Sequence, residues 1–221
     1  MRAIISAAGT GGHINPGIAI ANKIKEKEPD SEIIFLGTDR GLETDLVPRA
    51  GYELKCVPAY GFKKSLTITN IKHIIQTFSS NLKVRKIIKE FKPDVVIGTG
   101  GYICVPASIA AIRSNTPLVF HESNAYPGKA VKMFSKDVDL VLTGFEEAKN
   151  RLTSCKKVVT TGTPTKIRKV EISENRKKEI LKGLGIKNDL PIVLIFGGSQ
   201  GAKAINDAVF DLILKKSVNK I

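Results

Sequence analysis

At 221 residues the chain is long for one domain and short for two complete ones, taking roughly 100–200 residues per domain. A 42% hydrophobic and 25% charged composition is that of a globular protein and excludes a disordered one, and no apolar run reaches the roughly 20 residues that cross a bilayer as a helix. The formal charge of +14 points to an anionic partner: nucleic acid, anionic lipid or a phosphorylated substrate.

Met1-Arg2 leads straight into an apolar strand at 3–7 with no signal-peptide pattern, which sets the expectation of a cytoplasmic protein. The strand stops at Gly9-Thr10-Gly11-Gly12-His13-Ile14-Asn15-Pro16, and a helical pattern follows at 18–27. A strand that turns through glycines into a helix leaves free backbone N–H groups and the positive end of a helix dipole facing one crevice, which is an anion site. Glycines let the backbone approach a phosphate closely, and Thr10 adds a hydroxyl donor. His13 lies at the helix start, where it is either a general base beside bound substrate or a histidine that hydrogen-bonds the turn.

Strands at 33–36 and 54–57 come next, and after them a polar, basic loop at 61–66 and a helical stretch, Ile68–Phe91. In that stretch Ile71, Ile74, Ile75, Phe78, Leu82, Ile87, Ile88 and Phe91 alternate with lysines and one arginine. Its second half reads as core packing; its first half, with Phe62, Lys63, Lys64, Leu66 and Lys72, reads either as a solvated basic face or as a membrane-surface patch. The glycine corner then recurs after a strand at 95–98, as Gly98-Thr99-Gly100-Gly101-Tyr102, ahead of a helix at 107–112.

A strand at 118–120 runs into His121-Glu122-Ser123-Asn124, an acid and an amide of the kind that holds hydroxyl-rich sugars. The bland alternative for Glu122 is a carboxylate at a helix N-terminus. Strands at 140–142 and 158–161 complete a series of short, β-branched segments separated by helices, the pattern of a doubly wound parallel α/β sheet. In such sheets ligands sit beyond the carboxyl ends of the strands, where both glycine corners fall.

From Gly162 the pattern turns basic and aperiodic as far as Val170, the mark of a linker, and a charged helix follows at 173–184. A new α/β unit is expected to open with a strand at 192–196, a third corner, Gly197-Gly198-Ser199-Gln200-Gly201-Ala202, and a helix at 203–214. The domains are thus expected at 1–162 and 163–221, the second incomplete, because one strand and one helix cannot bury their apolar faces alone.

Several motifs are missing. From Gly9 the sixth position is Ile14 and from Gly98 it is Ile103, so neither corner is the dinucleotide fingerprint, and there is no Walker lysine. Cys56, Cys104 and Cys155 lie far apart with three histidines, which suggests neither zinc nor disulfides, and no metal or cofactor is expected. With 6% aromatic residues and no recognition motif, nucleic acid is not an expected partner.

As a set, Gly9-Thr10-Gly11-Gly12-His13 with Pro16, Lys92-Pro93-Asp94-Val95-Val96-Ile97-Gly98, Gly100-Gly101-Tyr102, His121-Glu122-Ser123-Asn124, Gly162-Thr163-Pro164 and Gly197-Gly198-Ser199-Gln200-Gly201-Ala202 resemble, in order and over essentially the whole chain, the MurG family. The resemblance implies a GT-B fold of two Rossmann-like domains facing a cleft. It also implies metal-free, inverting transfer of N-acetylglucosamine from UDP to the 4-hydroxyl of undecaprenyl-diphosphate-linked muramoyl-pentapeptide, in peptidoglycan synthesis. The enzyme would be peripheral, on the cytoplasmic face of an anionic membrane.

By the same resemblance, Thr10, Gly11, Gly12, Asn124 and Ser199 would hold the sugar nucleotide. Gly100, Gly101 and Gln200 join the substrate-binding set, and His13, Tyr102 and Glu122 match positions that handle the acceptor or act in catalysis. Lys166 stands where the family usually has an arginine, and a lysine cannot reproduce bidentate phosphate geometry. A second reading makes this polypeptide a non-catalytic membrane-docking or acceptor-binding half that needs a separate donor-binding chain.

Overall fold

The computed structural model describes residues 1–60, 68–165, 170–186, 191–198 and 201–218. The chain divides into two compact units, Met1–Arg168 and Lys169–Ile221.

The first unit alternates strands and helices: β1 (Arg2–Ala7), α1 (Gly11–Lys27), β2 (Glu32–Gly37), α2 (Glu43–Arg49), β3 (Glu53–Cys56), α3 (Ile68–Phe91), β4 (Val95–Gly100), α4 (Cys104–Arg113), β5 (Leu118–Glu122), α5 (Lys129–Met133), β6 (Leu140–Thr143), α6 (Glu146–Lys149) and β7 (Val158–Thr160). The strands form a seven-stranded sheet in the order β3-β2-β1-β4-β5-β6-β7, with every pairing parallel. All seven strand segments read from apolar, β-branched runs are present.

Successive side chains of a strand point to opposite faces, so the central strands build two cores. Ile4, Val96, Leu118 and Phe120 face one side, where Val84 and Ile88 of α3 and Ala107, Ala110 and Ala111 of α4 cover them. Ala3, Ile5, Ile33, Phe35 and Ile97 face the other, under Ile14, Ile18 and Ala21 of α1 and Val47 of α2. Burial on both faces is why these strands are continuously apolar.

From β1 the chain steps outward to β2 and β3, and α3 carries it back to β4, beyond which β5, β6 and β7 follow in turn. The order of travel therefore reverses between β1 and β4, the neighbouring strands that end in the two glycine corners. A crevice opens at such a switch point in a doubly wound sheet.

Several helix readings change: α4 begins at Cys104 rather than at residue 107, and the helix expected at 203–214 runs to Val218. α1 begins at Gly11 rather than at residue 18, because the Thr10 carbonyl accepts from the His13 and Ile14 amides at 3.0 and 3.2 Å and starts the helix at once. Pro16 sits within it and forfeits one intrahelical bond. In the second half of α3, Ile88 is buried as expected and Val84, not among the expected positions, is buried too, but Leu82 is 68% exposed and lies off the core-facing stripe.

In the second unit, α7 (Glu174–Gly183) begins at the Ser173 cap, whose hydroxyl accepts from the Arg176 N–H at 3.3 Å, and α8 (Lys203–Val218) follows the third corner. The strand expected at 192–196 is not formed: Ile192, Val193, Leu194, Ile195 and Phe196 carry no strand assignment and are 48–79% exposed. A strand exists only in a ladder, and among the described residues of this unit there is no second strand to pair with it.

Candidate functional site

The first corner is shaped by one residue with positive φ. After Ala8 the chain passes through Gly9 at φ +94°, and Thr10 (φ −124°, ψ 158°) is the extended N-cap of α1. The Thr10 hydroxyl makes no capping bond, and no acidic side chain lies in the first turn of α1, while Lys25 and Lys27 lie in its last turn. The amides of Gly11 and Gly12 have no intrahelical acceptor. Among the described residues the crevice therefore presents two unpartnered N–H groups, a hydroxyl and the positive helix end, a set that suits an anion.

His13 projects from this first turn. Its Nδ1 lies 3.1 Å from the Ala8 carbonyl oxygen, which can only accept, so Nδ1 carries the proton and Nε2 is left with its lone pair. The Thr99 hydroxyl donates to the His13 carbonyl at 2.8 Å and ties the second corner to the same helix turn.

Gly100 (φ +132°) and Gly101 (φ +86°) form the seat of this arrangement. A Cβ at Gly100 would lie 2.3 Å from the His13 Cδ2, and one at Gly101 2.4 Å from the Ala8 oxygen. The second corner thus supports the first as well as flanking the crevice, and Tyr102 beside it is exposed.

The end of β5 is organised by carboxylate chemistry. Glu122 is buried, and its Oε1 accepts from the Asn124 backbone N–H at 2.9 Å and side-chain amide at 2.8 Å. Its Oε2 accepts from the N–H of Gly128, the N-cap of α5, at 2.6 Å. Of the two readings open for Glu122, the geometry favours the carboxylate that builds a helix start. It presents Asn124, which is exposed, with its amide nitrogen held and its oxygen left to accept.

His121 has the opposite tautomer from His13. Its Nε2–H donates to the Gly162 carbonyl at 3.1 Å, and its Nδ1 accepts from the Ser123 hydroxyl at 3.3 Å. Burial pushes its pKa below the ordinary 6.5, against smaller upward effects of the Gly162 carbonyl and Glu122. The ring fastens the segment after β7 to β5, and Thr143 adds its carbonyl, which accepts from Thr161 and Gly162 at 2.9 and 3.2 Å.

Burial also raises the pKa of Cys56, Cys104 and Cys155, all free, so the thiols stay protonated. The structure brings together Thr10, Gly11, Gly12, His13, Gly100, Gly101 and Tyr102 at the β1–β4 crevice. Glu122 and Asn124 stand at the end of β5, the strand next to β4. Lys166, Ser199 and Gln200 lie outside the described residues. Gly201, at φ +83°, closes the third corner with its N–H on the Gly198 carbonyl at 3.0 Å.

Sequence reasoning missed Glu43, a fully buried carboxylate at the start of α2. Its Oε2 accepts from the Gly9 N–H at 2.9 Å, and its Oε1 from the Thr38 N–H and hydroxyl at 3.0 and 2.6 Å. In sequence it is an ordinary first-turn acid; only the glycines that precede it, Gly37 and Gly41, hint at close packing.

An all-parallel sheet wound in both directions from a switch point defines a Rossmann-like domain, of the kind that GT-B glycosyltransferases contain. Comparison makes the class specific: residues 3–143 match the glycosyltransferase family 28 N-terminal domain, and the chain belongs to that family. It is 48% identical over 213 residues to the UDP-N-acetylglucosamine–N-acetylmuramyl-(pentapeptide) pyrophosphoryl-undecaprenol N-acetylglucosamine transferase of Acetivibrio thermocellus, which covers 96% of this chain and 57% of the relative. The crystal structure of MurG from Acinetobacter baumannii superposes with a TM-score of 0.58 at 26% identity, covering 74% of this chain and 46% of that one. The UDP-GlcNAc 2-epimerase of Neisseria meningitidis, at 18% identity and a TM-score of 0.60 over 97% of this chain and 62% of that one, shares the fold. The chain spans a little over half the length of the curated relatives it matches.

Proposed function

We propose that this chain supplies the acceptor side and part of the donor side of a hexosyltransferase that moves N-acetylglucosamine from UDP-N-acetylglucosamine to the 4-hydroxyl of a polyprenyl-diphosphate-linked muramoyl-pentapeptide. The observation that carries the reading is His13: its Nδ1 is held on the Ala8 carbonyl, and its Nε2 has no hydrogen-bond partner among the described residues, beside a helix N-terminus that suits an anion. In the step, Nε2 takes the acceptor hydroxyl proton as that oxygen attacks the anomeric carbon from the face opposite the leaving group. The bond from that carbon to the UDP oxygen breaks, UDP leaves with the electron pair, and the configuration inverts.

The glycine corner, with the amides of Gly11 and Gly12 and the Thr10 hydroxyl, holds diphosphate oxygens. Asn124 offers its amide oxygen to a sugar hydroxyl, and Glu122 holds Asn124 in place without exchanging protons with substrate. Tyr102 borders the acceptor, while Lys166, Ser199 and Gln200 are assigned to the donor. Because the acceptor's polyprenyl tail stays in the bilayer, the enzyme works at a membrane surface, on the cytoplasmic side where UDP-sugars are made. Among the described residues no helix is long and apolar enough to cross a membrane, which agrees with peripheral attachment.

The test is transfer of radiolabelled N-acetylglucosamine to a short-prenyl analogue of the acceptor, by the chain as it stands and by a chain extended to the length of its relatives. Transfer by the extended chain that is lost in His13→Ala supports the reading. An extended chain that hydrolyses or transfers to other acceptors, and ignores the muramoyl one, overturns it.

A further inference from the structure

Glu43 has no part in the chemistry above, yet a fully buried carboxylate sits directly against the corner proposed to bind an anion. Coulomb repulsion makes this placement unfavourable for anion binding, and Glu43 also takes one of the corner's own N–H donors, that of Gly9. What it supplies in return is geometry. Its two oxygens bridge the loop after β1 to the turn after β2 through Gly9 and Thr38, and the Thr38 side is held twice.

The surrounding backbone is shaped to this side chain. A Cβ at Gly41 would lie 2.1 Å from its Oε2, and one at Gly37 2.7 Å from its Cγ. Burial alone would raise its pKa, but the hydrogen bonds from the Thr38 hydroxyl and from the amides of Gly9 and Thr38 outweigh it and hold the carboxyl below the ordinary value, so it is ionised at neutral pH.

We infer that Glu43 is a positioning residue: by fixing the peptide at Gly9 it sets the direction of the Gly11 and Gly12 amides toward a bound diphosphate. It likewise sets the Ala8 carbonyl that selects the His13 tautomer. The chain of cause is short. Gly9 follows Ala8, whose carbonyl receives the His13 Nδ1–H, and precedes Thr10, whose carbonyl starts α1. A rotation of the Gly9 peptide therefore moves both the anion donors and the catalytic imidazole. The inference rests on the reading of this corner as a diphosphate site.

The sign of one substitution separates this role from its rivals. Glu43→Gln keeps the shape and removes the charge, but its amide nitrogen must face either the Gly9 or the Thr38 donor. If only charge mattered, affinity for inorganic diphosphate, measured by calorimetry on the whole chain, would rise. If Glu43 only stabilised the fold, melting would fall while affinity, measured well below the transition, stayed the same.

Positioning predicts a fall of about tenfold or more, the loss of one charge-assisted hydrogen bond. Thr38→Val, which loosens the far anchor, should give a smaller fall, and the double variant no more than Glu43→Gln alone, because both act through one link. The second readout needs no ligand: nitrogen NMR of His13 should show the Nδ1–H tautomer in the wild type and a mixture in Glu43→Gln. An unchanged tautomer, or unchanged or raised diphosphate affinity in a folded Glu43→Gln chain, overturns the positioning role. A wild-type chain that does not bind diphosphate at all overturns instead the diphosphate reading of the corner.

Discussion

Gly101→Ala should destabilise the first unit well beyond what its backbone angle alone would cost, and Gly9→Ala provides the internal comparison. Both glycines have positive φ, +94° at Gly9 and +86° at Gly101. For an alanine that conformation costs about 1–2 kcal/mol. At Gly9 a Cβ would meet nothing within 4 Å, so that cost is the whole effect. At Gly101 the same Cβ would lie 2.4 Å from the Ala8 oxygen, 3.0 Å from its carbonyl carbon and 3.1 Å from its nitrogen. These are backbone atoms of the strand-end peptide, which cannot rotate away as a side chain can, and relief of the overlap adds about 1–3 kcal/mol. Gly101→Ala is therefore expected to lose about 2–5 kcal/mol in total, against about 1–2 for Gly9→Ala. Urea unfolding followed by far-UV circular dichroism reads the difference in midpoint at a common slope. A Gly101→Ala chain as stable as Gly9→Ala would refute the close approach of the two corners and, with it, the seat proposed for the His13 ring.

His13→Ala in a transfer-competent chain should lower turnover by roughly 100- to 10,000-fold, the range for a general base, with donor KM near that of the parent; steady-state kinetics decide, and near-parental turnover would leave His13 as a turn residue. Glu122→Gln should cost stability, about 1–3 kcal/mol, because an amide nitrogen would face either the Asn124 or the Gly128 donor; loss of turnover without loss of stability would instead make Glu122 a catalytic acid or base. His121 has a folded pKa below its unfolded value, so its stability contribution is present above about pH 6.5 and erodes as pH falls through that value toward the folded pKa, by up to about 1.4 kcal/mol per pH unit. His121→Gln should flatten the wild-type stability profile between neutral pH and pH 5, and identical profiles would contradict a buried neutral imidazole. Flotation with anionic vesicles, stronger at low salt and weakened in a Lys63, Lys64 and Lys72 charge-removal variant, is expected if the basic stretch touches the membrane; Lys63 and Lys64 lie outside the described residues, and equal flotation in all arms would return the stretch to a solvated face.

The strands were legible in the sequence because a parallel sheet buried on both faces needs continuous β-branched segments, and each such segment from β1 to β7 is where its residues placed it. The glycine corners were legible for the same kind of reason: positive φ at Gly9, Gly100 and Gly101 admits little else. The limits of α1 were not, because glycines and a proline argue against a helix, and only the Thr10 carbonyl beside the strand end shows that the turn closes at once. Nor was the failure of residues 192–196 to pair, since an apolar run carries the propensity for a strand but not the neighbour that makes it one. What the tertiary structure alone decided is which groups meet. That Glu43 reaches Gly9 across thirty-four positions of sequence and that the Thr99 hydroxyl reaches the His13 carbonyl across eighty-six are long-range facts of packing, while the bonds from His13 to Ala8 and from Glu122 to its own loop are local but take their geometry from turns that the sequence pattern does not specify. Local pattern fixes backbone direction and burial, but the partner of a polar side chain depends on which distant loop the sheet order brings beside it, and the reversal between β1 and β4 sets that order.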